Sequence, residues 1–302
     1  MSVYHTSVLL RESIDMLGIN PDGIFVDLTY GGGGHSAAIL AKLGCNGRIY
    51  GFDQDPDAKA NRLDDDRITL IESNFRFLRS QLRIRNVEQV DGILADLGVS
   101  SHHFDTPERG FSFRFDAPLD MRMNSRAGMT AQDILNEYSE EELTQILGEY
   151  GEMEAPYKAA NCIVKARARK PLERISDLIG AIAPVTPRKD VNKYLSRLFQ
   201  ALRIEVNGEI EALKMMLGQS LKVLKPQGRL VVISYHSLED RLVKNFMRSG
   251  NFEGNIEKDF YGHTSVPFEL IVRKAVIPSE EELKTNTRSR SAKLRGAIKI
   301  GV

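Results

Sequence analysis

The chain has 302 residues, enough for one large domain or two smaller ones around a real core. Its apolar (42%) and charged (27%) fractions are those of a globular protein, and Lys+Arg and Asp+Glu both number 41, so net charge points to no class of partner. Cys45 and Cys162 make no metal or redox motif and fit a reducing cytoplasm as buried small residues; no apolar run approaches membrane-spanning length, and Arg11, Glu12 and Asp15 break any signal-peptide core.

Residues 6 to 17 read as an amphipathic helix capped by Thr6 or Ser7, with Val8, Leu9, Leu10, Ile14 and Leu17 on its apolar face. Gly18 and Pro21-Asp22-Gly23 turn into a buried strand, Ile24 to Leu28. Four glycines, Gly31 to Gly34, then let the backbone bend tightly and approach a ligand. Ser36 is placed to cap a helix from Ala37 to Leu43, with Gly44 ending it.

This bend fits two ligand classes. Gly32, Gly34 and Ala37 match the dinucleotide pattern G-x-G-x-x-G/A, and Asp53 lies about twenty residues on, where a ribose-binding acid sits, so NAD is a candidate. Asp27 argues the other way. A carboxylate at the first strand tip would repel a pyrophosphate, whereas S-adenosylmethionine has no phosphate and carries an ammonium and a sulfonium. A glycine-rich turn without a ligand is the remaining reading.

Arg48 to Asp53 reads as a second strand, and its terminal Asp53 can accept hydrogen bonds from both hydroxyls of a ribose. Asp55-Pro56-Asp57 starts a helix near Ala58 to Leu63. Ile68 to Glu72 is a third strand, with Phe75 just past it as an apolar wall for adenine or a core residue. Val90 to Leu97 is a fourth, ending at Asp96 before Gly98-Val99-Ser100-Ser101-His102-His103. Acids thus end three strands, at Asp27, Asp53 and Asp96; in a parallel doubly wound sheet those tips share the ligand-binding edge.

The alternation of helix and strand then stops. Arg109 to Asp116 interleaves arginine with Phe111, Phe113 and Phe115, a composition that could clamp an unpaired base or pack as a loop on the sheet edge. From Thr130 to about Gly208 the pattern is helical, with Thr130 and Ser139 opening helices. Residues 137 to 154 hold seven Glu and no Lys or Arg; residues 158 to 200 hold ten Lys/Arg against three acids, a plausible phosphate surface or a set of solvated helix faces. The sheet pattern resumes with a helix, Glu209 to Leu224, a turn at 225–228, and a fifth strand, Arg229 to Ser234, tipped by Tyr235-His236-Ser237-Leu238-Glu239-Asp240-Arg241. Phe268 to Lys274 is a late strand, and residues 285 to 295, with four basic residues and no acid, bind nucleic acid or pack along the domain.

Several of these pieces together carry a resemblance. They are His5-x-x-Val8-Leu9-Leu10-x-Glu12, Asp27-x-Thr29-x-Gly31-x-Gly33-Gly34-His35-Ser36, Asp53-x-Asp55-Pro56 and Asp96-Leu97-Gly98-Val99-Ser100-Ser101. Further on come Arg109-Gly110-Phe111-Ser112-Phe113, Asp120-Met121-Arg122-Met123, Ser234 to Arg241 and Arg288-x-Arg290-Ser291-Ala292-Lys293-Leu294-Arg295. In this order the set resembles the bacterial 16S rRNA (cytosine-N4)-methyltransferase family, RsmH (MraW). His102-His103 departs from it, standing where many relatives carry Pro-Gln.

The resemblance implies a Rossmann-like class I methyltransferase sheet in two parts, 1–108 and 209–302, with an all-α RNA-recognition insert at 109–208. It implies S-adenosylmethionine as methyl donor, held by Gly33, Gly34, His35, Asp53, Phe75, Asp96 and His103. It implies a cytoplasmic enzyme acting on 16S rRNA in the small ribosomal subunit or a late precursor. Holding a poorly nucleophilic amine for transfer needs acceptors at the strand tips; Ser234 and His236 are the candidates to contact it, with Tyr235 and Asp96 beside them. No metal cluster is expected. A nicotinamide-dependent oxidoreductase and a catalytically silent RNA-binding assembly factor are the rival readings.

Overall fold

The computed structural model describes residues 7–99, 106–126, 128–256 and 266–301. They fall into two compact units, one of residues 1–98 with 210–302 and one of residues 99–209.

The first unit is built on a seven-stranded sheet: β1 (Ile24–Asp27), β2 (Arg48–Asp53), β3 (Ile68–Glu72), β4 (Val90–Asp96), β5 (Leu224–Ser234), β6 (Phe268–Leu270) and β7 (Lys293–Lys299). The spatial order is β3-β2-β1-β4-β5-β7-β6. β1 to β5 are parallel, and β7 runs antiparallel between β5 and β6. This is the doubly wound, Rossmann-like arrangement expected. The chain moves outward from β1 through β2 to β3, then returns to place β4 on the other side of β1. That reversal puts a topological switch point, the usual ligand crevice of such sheets, at the carboxyl ends of β1 and β4.

Period-two alternation gives the sheet two cores. Val26, Phe52, Ile93, Leu230 and Val232 pack on one face with Leu78, Leu82, Leu213, Met216 and Phe246. Phe25, Ile49, Leu94, Val231 and Ile233 pack on the other with Leu17, Ile39 and Leu43. Strands covered on both faces read as continuous apolar runs, which is why β1, β4 and β5 were legible without a polar face. Helices α1 (Leu10–Leu17), α2 (Gly34–Leu40) and α3 (Leu78–Ile84) follow the early strands' order.

Several local expectations are corrected. α1 takes no cap from Ser7; its N-cap is Leu9 in the left-handed region (φ 49), a conformation costing about 1–2 kcal/mol for a branched residue. Leu9 N–H is satisfied instead by Glu282. α2 begins at Gly34, so Ser36 lies inside it rather than at its cap, and it ends at Leu40, short of Gly44. The turn at 225–228 interrupts β5 as an excursion with Gln227 at φ 66, so the ladder skips from Val90↔Leu224 to Gly92↔Arg229. The expected strand to Lys274 stops at Leu270. Of the two readings of residues 285–295, packing along the domain is the one observed. These residues cover the end of α11 (Glu280–Thr285), a 3-10 turn and the start of β7, whose Arg295 and Lys293 pair with Asp240 at 2.7 and 3.1 Å. Cys45 is exposed and Cys162 half-buried, so neither is a core residue.

The second unit contains α4 (Ala131–Glu137), α5 (Glu140–Glu149), α6 (Pro156–Arg167), α7 (Ile175–Ile182) and α8 (Val191–Asn207). The joining helix α9 (Glu209–Val223) and α10 (Ser237–Ser249) frame β5 in sequence. Thr130 and Ser139 form complete capping boxes with Asp133 and Glu142. Phe111 and Phe113 do not stand out to clamp a base. Phe111 is buried in this unit's core with Leu119, Met121 and Met123, and Phe113 meets Phe199 edge-on at 5.4 Å. Their alternation with arginine is that of an extended segment with one side packed. No helix among the described residues is long and apolar enough to cross a membrane.

Gly51, in β2, faces the buried Tyr30 ring; an added Cβ would stand 2.7 Å from Cδ2. Tyr30 is pinned, donating to Asn61 O at 2.7 Å and accepting from Leu63 N at 3.0 Å, so it cannot retreat. Gly51→Ala is therefore expected to destabilise the fold by about 1–3 kcal/mol, measured as a lower midpoint in urea at unchanged slope.

Candidate active site

The carboxyl edge of the sheet is stitched beyond the strand ends. Leu28 N–H donates to Leu94 O, Tyr30 N–H to Phe52 O and Leu97 N–H to Ile233 O, all at 2.8–2.9 Å. The tips of β1, β2, β4 and β5 are thereby held in fixed relation.

Asp27 is the most deeply placed acid, 1% exposed. Its Oδ2 accepts from Ser36 Oγ at 2.7 Å and its Oδ1 from Thr29 N–H at 3.1 Å. Burial pushes its pKa up, opposed by His35, Ser36 and Thr29. The expectation that Asp27 faces a ligand is thus corrected: both oxygens are turned inward to fasten the glycine bend. Gly33 sits at φ 75, and a Cβ there would lie 2.9 Å from the Tyr30 hydroxyl, so only glycine fits this backbone over that ring.

Asp53 closes the bend from the side of β2. Its Oδ2 accepts from Gly31 N–H and its Oδ1 from Asp55 N–H, each at 2.8 Å. Phe75 follows β3, half-buried against the sheet core. Its loop is fastened to the end of β2 by Ser73 N–H to Asp53 O at 2.8 Å and by Asn74 Nδ2 to Gln54 Oε1 at 2.6 Å. The loop that carries Phe75 is thus held at the end of β2.

Asp96 ends β4 with its side chain 22% exposed. Tyr235 donates its hydroxyl to Oδ1 at 2.7 Å, and His35 Nδ1 lies 3.9 Å from Oδ2. The Asp96 amide donates to Thr29 Oγ1 at 2.7 Å, which ties the tip of β4 to the turn after β1. Burial pushes Asp96 up to about 6, against the lowering influence of His35 and Tyr235; Asp27 and Glu239 add to the rise. Burial likewise raises the Tyr235 phenol, with Asp96 next in effect, so it remains a donor. His35 is itself buried, its Nε2 3.1 Å from Val8 O.

At the tip of β5 the two amine-gripping candidates part company. Ser234 is buried within the sheet, and its hydroxyl reaches the carbonyl of Lys293 on β7 at 3.4 Å, so it serves the strand pair and does not look outward. His236 is half-buried at the N-cap of α10, with Nε2 3.1 Å from Glu239 Oε1. The buried Glu239 also accepts Tyr235 N–H at 2.9 Å. His103, with its neighbours Ser100 to His102, and His5 lie outside the described residues.

The structure therefore brings Gly33, Gly34, His35, Asp53, Phe75 and Asp96 to one edge, with Tyr235 and His236 at the next strand tip. Sequence reasoning missed Tyr30 under the bend, Thr29 as acceptor for β4, and Glu239. A buried Tyr in an Asp-x-Thr-Tyr-Gly stretch and a Glu at the third helical position after His236 were the available signals.

The comparisons with known proteins come to the same place. The model of the MraW methylase family matches residues 2–300. A protein of Parabacteroides distasonis named ribosomal RNA small subunit methyltransferase H is 56% identical, over 99% of this chain and 98% of its own. Proteins of the same name from Bacteroides thetaiotaomicron (56%, covering 98% of this chain and 97% of its own) and Flavobacterium johnsoniae (54%, 98% of each) are similar to it over nearly the same span. A sheet edge lined with acids around a glycine bend, and sequence identity maintained along almost the full length, lead to one conclusion: the chain belongs to the MraW methylase family.

Proposed function

We propose that this protein transfers the methyl group of S-adenosylmethionine to the N4 amine of a cytidine in 16S ribosomal RNA, within the small subunit or a late precursor. The observation that carries the reading is Asp96: a carboxyl at the switch point, held by Tyr235 and set against His35 beside the glycine bend. Among the described residues it pairs with no Lys or Arg. An edge of this charge suits a cationic donor and repels the pyrophosphate of NAD.

The residues fit the donor. Gly33 and Gly34 allow backbone approach, Asp53 accepts from the ribose hydroxyls, Phe75 walls the adenine, and His35 and Asp96 stand beside them; a contact from His103 rests on the family resemblance alone. When bound, the donor supplies a methyl group activated by positive sulfur. The protein's own residues handle the amine. Its lone pair is delocalised into the cytosine ring, and an acceptor on one N–H draws the nitrogen toward tetrahedral geometry. The Asp96 carboxylate is suited to that task. With Nε2 turned to Glu239, His236 has Nδ1 left to meet the amine and to hold the departing proton. The base must be unpaired or flipped to enter. Ser234 supports the strand on which His236 stands.

The helical unit, residues 109–208 of the chain, is the part we assign to RNA recognition. Of the ten cations in residues 158–200, Arg167 is spent on the carbonyls of Leu135 and Tyr138, Arg174 on Asp116 and Lys170 on Asp177, and Arg197 is half-buried. Lys158, Lys165, Arg169, Arg188, Lys189 and Lys193 remain exposed and available to phosphates.

Small subunits from a strain lacking this protein, treated with it and with labelled S-adenosylmethionine, are expected to gain one methyl group on N4 of a single cytidine, read by mass mapping. A mark elsewhere, or none, would reject the proposal. Calorimetry is expected to give binding heat with S-adenosylmethionine and none with NADH.

His236→Ala is expected to lower kcat by about 10²–10⁴ while leaving the donor Kd within about twofold, separating amine handling from donor binding. Asp96→Asn is expected to abolish transfer and yet stabilise the protein at neutral pH. The folded-state carboxyl titrates near 6 and the unfolded one near 3.8, so the native state holds more protons between those values. Stability is lost as pH rises through that window, a cost on the order of 2–3 kcal/mol above it, which the amide removes. A higher melting temperature for the variant at pH 7.5, shrinking toward pH 4, is the expected result.

A further inference from the structure

Ser279-x-x-Glu282 at the start of α11 has the sequence of a capping box. The same pattern closes on itself at Thr130/Asp133 and Ser139/Glu142, where the carboxylate accepts the N–H of its own cap residue at 2.8 and 2.7 Å. At α11 only half is made. Ser279 Oγ accepts from Glu282 N–H at 3.2 Å, but Glu282 Oε1 takes the N–H of Leu9, 273 residues away, at 2.8 Å. Leu9 is the left-handed residue that opens α1 without a side-chain cap. A local bond is given up to hold a strained backbone far off in sequence.

What that backbone touches gives the bond its meaning. Val8, the residue before Leu9, offers its carbonyl to His35 Nε2 at 3.1 Å. A carbonyl only accepts, so Nε2 carries a proton in the neutral ring and the imidazolium alike, and Nδ1 is the nitrogen facing Asp96 Oδ2 at 3.9 Å. Asp96 Oδ1 is held in turn by Tyr235.

We propose that Glu282 is a positioning residue of the donor pocket: by fixing Leu9 it fixes the Val8 carbonyl, and through it the tautomer and ring orientation that His35 presents to Asp96. This rests on the reading of His35 and Asp96 as donor-binding residues. Glu282 touches neither donor nor target base; it acts through the single Val8–Leu9 peptide group, whose N–H it accepts and whose C=O meets the imidazole. Its acceptor oxygen, not its charge, makes the contact, so an amide serves as well as a carboxylate.

The test uses the full chain, S-adenosylmethionine calorimetry, and ¹⁵N-histidine correlation spectra that report which nitrogen of His35 is protonated. Glu282→Ala is expected to weaken donor binding about tenfold, the scale on which slight mispositioning acts, and to lose the single Nε2–H signature of His35. Glu282→Gln is expected to keep both within about twofold. Thr130→Ala, which opens a capping box in the helical unit, serves as a destabilised control and is expected to change neither. Glu282→Ala matching the native protein in affinity and His35 signature would overturn the proposal, as would Thr130→Ala weakening binding equally. Should the native protein itself give no heat with S-adenosylmethionine, the reading of the site fails instead, and the His35 spectra still decide whether Glu282 sets the tautomer.

Discussion

The geometry of the site depends on burying one acid. Asp27 ends β1 with almost no access to water, and a buried carboxyl must be met by donors or lose several kcal/mol. The donors are Ser36 Oγ from inside α2 and the Thr29 amide. Meeting both fixes how the chain leaves β1, how many residues the bend contains, and where α2 begins. Thr29, turned by that bond, presents Oγ1 to the amide of Asp96. One desolvated side chain thus determines the relation of two strand tips and puts His35, at the second position of α2, over the Asp96 carboxyl. Asp27 organises this edge from beneath, its own carboxyl turned inward, while the Asp96 side chain keeps some exposure.

Two acids pressed upward by burial at one sheet edge are a poor choice for stability and a sensible one for holding a cation. Asp96 near 6 is ionised at neutral pH at the expense of folding free energy. A positively charged ligand binding there recovers part of that cost, because it binds the folded state alone. Tyr235 and His35 hold the carboxyl in place without neutralising it as an arginine would. Where this chain has a similar charge with only structural duty, it does neutralise it: Asp240, on α10, is matched by both Arg295 and Lys293 and lowered in consequence.

The contrast bears on what the sequence could reveal. Strands β1 to β4 were legible to within a residue because β1 and β4 are almost wholly buried and all four are apolar runs punctuated by glycine, proline and acids. The capping boxes at Thr130 and Ser139 were legible because they are local. The acids at the strand tips were found, but not which of them is turned inward, since that depends on Ser36 lying within the helix and not before it. Residues 285–295 were left between binding nucleic acid and packing along the domain, and β7 was not read as a strand, because what its cations meet, Asp240 and the carbonyl of Leu224, lies 53 to 75 residues away. Phe111 and Phe113 left a base clamp and a packed loop equally open because periodicity does not say which side of an extended segment is packed. Their partners, Phe199 among them, come from much later in the chain.

Long-range closure also explains why the pocket is assembled from such distant pieces. β5 carries Tyr235 and His236 at its tip, and β5 is flanked by β4 on one side and by the late antiparallel β7 on the other. Ser234 pairs with Lys293, so the last residue before the reactive tip is set by the first residue of β7. α11, immediately before β7, delivers Glu282 to Leu9. Residues near 9, 27, 96, 235 and 282 are therefore constrained together or not at all, and none of these contacts forms from local propensity. A sheet that closes over such separations costs much loop entropy before it gains packing. What it gains is a candidate site whose acceptors lie on strand ends rather than on free loops, held from both faces of the sheet, which is the rigidity that aligning two reactants for group transfer demands.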